Sequence, residues 1–305
     1  MNSETVNFFK ARDISEILNA TFAFIRLEFK YLWKVTLYLF SPFVILMAAI
    51  SFTFQETFSA ISVNGVTPTF YFSLFLLYLI LFILFVFVTS MMNNYLLLYI
   101  NGDERRTSPL DMLKITLKDF GLTAKITFLY GLLLLGITFG VVIIITIISL
   151  INVVFAPIIV FITMIPITYF FVSLSFIFII AIHERVSFSA ALTKSYNLIK
   201  NYWWFTIGVY FLIYLLVFVL QLVFLLPEYI VTFTIRFNSE NATLLTENSF
   251  VNGLVAIYSS LSYFFYGIPF ITTGIHYYSQ KEKKEAVGLA KKIESLEGDV
   301  STESE

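Results

Sequence analysis

Long uncharged stretches alternate with short polar ones along the chain, and the alternation predicts where the chain crosses a membrane. An α-helix rises 1.5 Å per residue, so about 20 apolar residues span the hydrocarbon core of a bilayer. Five stretches without Asp, Glu, Lys or Arg reach that length, namely Val35–Phe54, Phe70–Ile100, Ile126–Ile182, Tyr202–Leu226 and Val251–Gln280. The third stretch is long enough for two helices, so the pattern predicts six transmembrane helices.

Proline and glycine positions predict where these helices break or bend. Pro157 favours a break between the third and fourth spans at Asn152–Pro157, because proline is tolerated at a helix start but not in its interior. Pro166 and Gly267–Pro269 predict kinks in the fourth and sixth spans. Beyond the fifth span, Tyr229–Phe237 alternates weakly between apolar and polar residues, which favours a small hairpin or a re-entrant cap.

A polar segment with one apolar stripe at helical spacing precedes each odd-numbered span. Each segment is too short and too polar to cross, so we expect an amphipathic helix in the cytoplasmic interface. Two segments begin with capping residues, since Asp13 is followed by Glu16 and Ser108 by Asp111. The stripes are formed by Ile14, Ile17, Leu18, Phe22 and Ile25, by Leu110, Leu113, Leu117 and Phe120, and by Phe188, Ala191, Leu192, Tyr196 and Ile199.

The three segments also share a short pattern, which indicates an internal repeat. Each has a Leu followed three residues later by a hydroxyl residue, at Leu18 and Thr21, Leu113 and Thr116, and Leu192 and Ser195. We therefore predict an all-α, polytopic membrane helical bundle with six transmembrane helices in three repeats. Each repeat is an interfacial amphipathic helix followed by a helical hairpin. The repeats cover about 11–101, 103–182 and 184–280 of a single membrane domain, 1–305, and a cytoplasmic tail covers 281–305.

Composition and charge support this class and orient the chain. Hydrophobic residues make up 59% of the chain and charged residues 13%, about half the usual share of a soluble domain. Of the 19 Lys and Arg residues, all but Arg236 fall on one face of the predicted topology, so the positive-inside rule places both termini in the cytoplasm. The absence of cysteine excludes disulfides and thiolate metal sites. The first residues are not typical of a cleaved signal peptide.

One stretch resembles a known family. An acidic residue after a span is followed by an Ala-Leu-x-x-Ser helix, a basic residue and an aromatic return into the membrane. This pattern resembles the bacterial membrane-domain family found fused to some glycerophosphodiester phosphodiesterases, and related uncharacterised polytopic families. The resemblance covers about the last half of the chain, and the 305 residues include no soluble phosphodiesterase domain. It implies an architecture and a bacterial inner membrane, but no activity and no site residues. The matching positions are Glu184, Ala191, Leu192, Ser195, Lys200, Trp203 and Trp204.

Candidate chemistry is sparse. No predicted span contains a charged residue, which argues against an ion- or proton-coupled transporter. His183 and His276 fall near the cytoplasmic ends of spans and, with Glu184, could form a metal or acid–base site. Their spacing matches no metal motif, so interfacial residues that end helices are the favoured interpretation. Gln221, His183 and His276 are candidates for a polar cavity. No catalytic, cofactor-binding or metal-binding residue is predicted.

The basic and aromatic residues of the cytoplasmic rim favour contact with lipid headgroups or a partner. Three function classes follow, in order of preference. They are a non-catalytic protein that organises lipid or a partner, a permease or channel for an apolar or lipid-like solute, and a membrane-embedded enzyme. The expected partners are membrane lipids, other membrane proteins or a second copy of the chain, without nucleic acid or cofactor. The candidate headgroup or interface residues are Trp33, Arg105, Arg106, Glu184, Arg185, Lys194, Lys200, Trp203 and Trp204.

Overall fold

The computed structural model describes residues 5–64, 68–102, 107–151, 156–237, 253–255, 258 and 261–286. The fold is helical, with 89% helix and no strand among the described residues. Its helices are α1 (Ile14–Asn64), α2 (Pro68–Ile100), α3 (Pro109–Ile151), α4 (Ala156–Ser173), α5 (Ile177–His183), α6 (Phe188–Ile199), α7 (Trp203–Phe237) and α8 (Gly267–Glu285). A 3₁₀ helix, Leu261–Tyr266, leads directly into α8.

Four helical stretches are long and apolar enough to cross a membrane. They correspond to the second, third, fourth and fifth predicted spans. The first predicted span, Val35–Phe54, lies within α1. Part of the sixth predicted span, and most of the predicted break at Asn152–Pro157, lie outside the described residues. The four stretches are Phe70–Ile100, Pro109–Leu150, Val160–His183 and Trp203–Ile230.

Only one of the three expected interfacial segments forms a helix of its own. α1 runs from Ile14 through the first predicted span without interruption, and α3 runs from Pro109 through the third. Residues 26–34 contain neither Gly nor Pro, so nothing in the sequence breaks α1 at that point. α6 is separate from α7 because a turn at 200–202 interrupts the helical bonding.

The expected helix starts at Asp13 and Ser108 are confirmed by side-chain caps. Asp13 Oδ1 accepts from Glu16 N at 2.7 Å, and Glu16 Oε2 accepts from Asp13 N at 3.2 Å, which together make a reciprocal capping box. Ser108 Oγ accepts from Asp111 N at 3.2 Å. These bonds satisfy backbone N–H groups that the first helical turn leaves without partners.

The fourth span is interrupted at a place that the sequence does not mark. α4 ends at Ser173 and α5 begins at Ile177, with a turn at Leu174–Phe176 between them. Pro166, which was expected to kink this span, lies inside α4. The residues of the turn are neither Gly nor Pro, so side chains of other helices must stabilise the interruption.

The prediction of a small hairpin or a re-entrant cap at Tyr229–Phe237 is wrong. α7 continues through this stretch as a helix to Phe237, with Pro227 inside it. The weak alternation misleads because an almost wholly apolar segment carries little periodicity with which to distinguish a strand from a helix.

Buried residues concentrate towards the helix ends on the predicted cytoplasmic side. In α2 the buried face begins at Leu84 and continues to Tyr99, and this part of the helix contacts its neighbours in the core. The opposite half of the bundle is open, since Leu150 of α3 is 82% exposed whereas Ile180 of α5 is fully buried. The exposed side chains of these outer halves are largely apolar, as expected of helices that cross a membrane.

α8 approaches α2 closely at Gly274. A Cβ atom at this position would lie 2.5 Å from Leu96 Cδ1 and 3.6 Å from Ile179 Cδ1. Leu96 and Ile179 are themselves buried and packed. The absence of a side chain at Gly274 therefore allows the two helices to meet.

Candidate functional site

Three consecutive residues, His183, Glu184 and Arg185, connect the end of α5 to the surrounding helices. We call them the 183–185 junction. α5 ends at His183, and Arg185 has a φ of +55°, in the left-handed region that residues other than glycine seldom occupy. The chain turns sharply here, and the three side chains reach different helices.

His183 bridges α2 and α8. Its Nε2 lies 2.8 Å from the carbonyl oxygen of Asn93, and its Nδ1 lies 2.8 Å from Tyr278 Oη. Because a carbonyl oxygen only accepts, Nε2 carries the proton and Nδ1 accepts from the Tyr278 hydroxyl. Both ring nitrogens are thus engaged in structural bonds, which leaves neither available to bind a metal ion or transfer a proton.

Glu184 accepts from three side chains on two helices. Tyr277 Oη and Lys281 Nζ of α8 each lie 2.6 Å from Oε1, and Lys194 Nζ of α6 lies 2.8 Å from the carboxylate. Burial disfavours the charged form, but the bonds from Lys194, Lys281 and Tyr277 outweigh it and lower the pKa of Glu184 to about 2. Glu184 is therefore a structural anion and a poor acid or base near neutral pH.

Arg185 forms a bidentate ion pair with Asp119 of α3. Nη1 lies 2.5 Å from Oδ1, and Nη2 lies 2.8 Å from Oδ2. The Asp119 side chain is 4% exposed and the Arg185 side chain 52% exposed. The parallel bonds satisfy both oxygens of a carboxylate that could not be buried alone. With this pair, the junction contacts α2, α3, α6 and α8.

His276 lies apart from the junction. It is fully buried on α8, with Nε2 3.0 Å from Thr206 Oγ1 of α7 and its ring edge-on to Phe176 at 5.0 Å. His183, Glu184 and His276 share no hydrogen-bond partner, so the structure does not assemble the acid–base site that they suggested. Within the described ranges, no three His, Asp or Glu side chains group as metal ligands.

Gln221 does not join the two histidines in one cavity. It lies on α7, 15 residues (221 − 206) beyond the Thr206 that bonds His276, which is about 22 Å along the helix axis. Gln221 Nε2 is buried and has no hydrogen-bond partner in the part of the chain that the structure describes. The three candidates for a polar cavity thus occupy separate places.

Ser195 of α6 closes the interruption between α4 and α5. Its Oγ donates to Ser173 O at 2.8 Å and accepts from Phe176 N at 3.2 Å. The hydroxyl replaces helical partners that the turn removes from these backbone groups. Thr21 and Thr116, at the aligned positions, donate instead to the carbonyl four residues back in their own helices. All three are fully buried.

The residues before α1 fold onto the end of α8. The Phe8 ring is buried and packs edge-on against Tyr278 at 5.9 Å. Arg12 N donates to Ser279 Oγ at 2.9 Å, and Lys283 Nζ donates to Arg12 O at 2.7 Å. These contacts connect the beginning of the described chain to its last helix.

Four of the candidate headgroup residues are engaged within the protein. Glu184, Arg185 and Lys194 belong to the ion pairs of the junction. Trp203 is half-buried, and its Nε1 donates to Tyr169 O at 3.3 Å. These side chains join neighbouring helices, which the sequence did not indicate.

Three other candidates face outward. Trp33 and Lys200 are exposed, and Trp204 is 78% exposed. Arg105 and Arg106 lie outside the described residues. The exposed side chains remain suited to an interface with headgroups or a partner.

An open cleft of about 630 Å³ lies between α6 and the end of α8, beside the junction. Its cations already have partners, because Lys194 pairs with Glu184 and Lys284 Nζ donates to Asn197 O. Glu285 adds a negative charge to the same cleft. The cleft is therefore poorly suited to bind an anion.

The residues that complete the junction were missed from the sequence. Asp119 could have been found, because it lies on one buried helical face at a spacing of three and four residues from its buried neighbours. That face consists of Met112, Thr116, Asp119 and Thr123. Tyr277 and Lys281 follow the sixth predicted span, and no local pattern pairs them with Glu184.

No protein-family model, curated protein or solved structure matches the chain. The function must therefore be inferred from the arrangement itself. Glu184 and Arg185 of the junction form ion pairs with residues of other helices. Arg12 is also buried, and its guanidinium donates to the carbonyl oxygens of Phe8 and Lys10.

Proposed function

We propose that this chain is a non-catalytic protein of the bacterial inner membrane that organises lipid, or a partner protein, at its cytoplasmic face. In this proposal the chain crosses the membrane six times, in three repeats, with both termini in the cytoplasm. The family resemblance of the last half of the chain supports the same architecture. The resemblance implies no catalytic reaction.

The distribution of charge is the observation that supports this function best. The carboxylates of Asp119 and Glu184 are paired within the bundle. Several basic side chains, in contrast, are exposed and form no ion pair with any residue of the described ranges. An excess of exposed positive charge on one face attracts an anionic membrane surface or an acidic partner. These basic residues are Arg26, Lys30, Lys34, Lys118, Lys125 and Lys200.

Native purification followed by mass spectrometry tests the function. We expect anionic phospholipids to be enriched around the purified protein relative to the whole membrane extract, or a stoichiometric protein to accompany it. Lipids in the same proportions as the extract, with no accompanying protein, would contradict the proposal.

Reporter fusions test the topology on which the proposal depends. Alkaline phosphatase folds only outside the cytoplasm, so fusions after Asn64 and Asn241 should be active. Fusions after Asp103 and Lys283 should be inactive. Inverted activity at any one of the four positions would rule out the six-span arrangement.

A second candidate function, passage of a lipid-like solute, is favoured by the interruption of the fourth span. Interrupted helices line the substrate paths of many transporters. Buried polar atoms without partners in the described residues also occur in the bundle, at Thr89 and Gln280. Proteoliposomes with a fluorescent phospholipid analogue distinguish the functions. Rapid exchange between leaflets would favour passage, and an unchanged rate would favour organisation.

A further inference from the structure

Three basic residues form a column along the exposed side of α1. Arg26, Lys30 and Lys34 are spaced four residues apart, so they share one face of the helix and extend over roughly 12 Å. All three are exposed. We call them the basic column. The basic column ends at Lys34, immediately before the first uncharged stretch, where we expect the chain to enter the hydrocarbon core of the membrane.

The basic column has no acidic partner among the described residues. Glu28 is the one acidic residue of α1 between Ile17 and Gln55, and it lies on a different face. Its Oε2 accepts from Tyr95 Oη of α2 at 2.7 Å, so the carboxylate is directed towards the core. Like charges four residues apart repel each other along a helix. An anion outside the protein would relieve that repulsion.

An aromatic surface accompanies the basic column. Phe29 and Trp33 are exposed and stack on each other with 6.1 Å between ring centroids and 12° between planes. Trp33 also contacts Phe264 at 6.0 Å, which holds the indole against the 3₁₀ helix. Exposed aromatic rings beside Lys and Arg are typical of the level of lipid headgroups.

Three other basic residues of the same predicted face differ from the column in having partners. Lys10 pairs with Glu16 at 3.0 Å, and Lys114 pairs with Asp111 at 3.1 Å. Lys284 donates to a backbone carbonyl. These three lysines are exposed, as the column is, but their charge is already compensated or bonded. They supply a matched comparison of equal charge.

We propose that the basic column is a binding site for the phosphate-bearing headgroups of anionic phospholipids of the cytoplasmic leaflet. Its length accommodates more than one phosphate, and Phe29 and Trp33 contact the adjoining glycerol and acyl region. This inference rests on the proposed function and specifies where the lipid binds. The Arg185 and Lys194 side chains, which the sequence suggested for this role, are engaged in ion pairs instead.

The test compares the triple variant Arg26→Gln, Lys30→Gln, Lys34→Gln with the control Lys10→Gln, Lys114→Gln, Lys284→Gln. Each loses three positive charges from the predicted cytoplasmic face. The purified proteins are titrated with phosphatidylglycerol or phosphatidylcholine in detergent, and bound lipid is counted by native mass spectrometry. One positive charge near an anionic surface changes affinity about fivefold, so we expect phosphatidylglycerol to bind the column variant at least about tenfold more weakly. We expect no change with phosphatidylcholine, and less than about threefold with the control.

A charge-retaining variant, Arg26→Lys, Lys30→Arg, Lys34→Arg, guards against loss of folding and should bind as the wild type does. An equal loss of phosphatidylglycerol affinity in the column variant and the control would overturn the inference. It would indicate that binding depends on the total positive charge and not on a site formed by the basic column. Wild-type affinity in the column variant would overturn it as well. In both cases enrichment of anionic lipid by the wild type would leave the proposed function standing. If the wild type does not prefer phosphatidylglycerol, the inference and the lipid-organising function fail together.

Discussion

The ion pair between Arg185 and Asp119 joins an exposed side chain to a buried one, so its two partners are not equivalent. Removing the guanidinium leaves a charged carboxylate buried on α3, whereas removing the carboxylate charge leaves an arginine that can turn to water. The cost of breaking an ion pair lies mainly in the buried charge that remains.

This asymmetry predicts the order of two substitutions. We expect Arg185→Gln to lower the free energy of unfolding by about 3 kcal/mol and Asp119→Asn by about 1 kcal/mol. The double variant should be more stable than Arg185→Gln alone, because the buried charge is gone. Reversible denaturation in detergent measures all three. Equal losses in the two single variants would contradict the assignment.

Glu184 predicts how stability depends on pH. Its pKa in the folded protein is about 2, below the usual 4.5, so its stabilisation is complete above pH 4.5 and is lost as the pH falls towards 2. The side chain keeps some exposure, so solvent screening reduces the effect to about 2 kcal/mol. Glu184→Gln should be less stable than the wild type at pH 7.

The difference between wild type and Glu184→Gln should shrink as the pH is lowered from 4.5 to 2. Thermal unfolding at a series of pH values follows that convergence. A constant difference over this interval would show that the lysines and Tyr277 do not stabilise the charged form.

Among the elements, the interruption of the fourth span depends on a side chain from α6. Ser195 supplies one donor and one acceptor to backbone groups on either side of the turn. A buried backbone group without a partner costs more than an ordinary hydrogen bond contributes, because its desolvation is uncompensated.

We expect Ser195→Ala to lower the free energy of unfolding by about 2 kcal/mol, since Ser173 O and Phe176 N would each lose a partner. Thr193→Ala is the control, because Thr193 is exposed on the same helix and donates to Ser189 O, a carbonyl of its own helix. The control should change stability by less than about 0.5 kcal/mol. Similar losses for the two variants in the same denaturation assay would refute the role of Ser195.

The close approach of α8 to α2 at Gly274 predicts that stability is sensitive to the size of the side chain at this position. Gly274→Ala places a methyl group against Leu96, which is buried and cannot move freely, and should cost about 1–2 kcal/mol. At Gly136 of α3 an added methyl group has nothing within 4 Å, so Gly136→Ala should be neutral or stabilising. Chemical denaturation of the two variants provides the comparison, and a tolerated Gly274→Ala would exclude this close contact.

At this scale the sequence predicts the features that arise from residues close together in the chain, and it does not predict those that depend on contacts between helices. The caps at Asp13 and Ser108 involve residues three positions apart, and the apolar runs of α2 and α7 follow from hydropathy alone. The turn at Leu174–Phe176 has its cause in Ser195, on another helix. The Glu184 bonds likewise depend on how α6 and α8 pack, which no local pattern specifies. The aligned Leu-x-x-Ser motif marked Ser195 without indicating what its hydroxyl does.

At the scale of the whole molecule, the described residues pack tightly at one end and present apolar surface at the other. The segment before α1 strengthens the packed end, because Phe8 lies among aromatic rings of α1, α2 and α8. This single residue therefore links the first, second and last described helices.

We expect Phe8→Ala to lower the free energy of unfolding by about 3 kcal/mol, because a fully packed ring leaves a cavity. Phe128→Ala is the matched control, since the Phe128 ring is largely exposed. We expect Phe128→Ala to lower the free energy of unfolding much less, because the exposed Phe128 ring has less contact with the rest of the protein to lose. If both variants unfold at the wild-type denaturant concentration, the docking of the segment is not a source of stability.

The docking of the segment before α1 also sets an order of events during synthesis. Arg12 bonds Ser279, which follows 267 positions later in the chain. At about 5–20 residues added per second, the ribosome needs roughly 15 to 50 s to produce the partner after the segment has emerged. The segment before α1 therefore stays undocked, accessible to proteases and chaperones, until α8 has been made. The moment at which that segment becomes resistant to cleavage would therefore show when the fold is completed in a living cell.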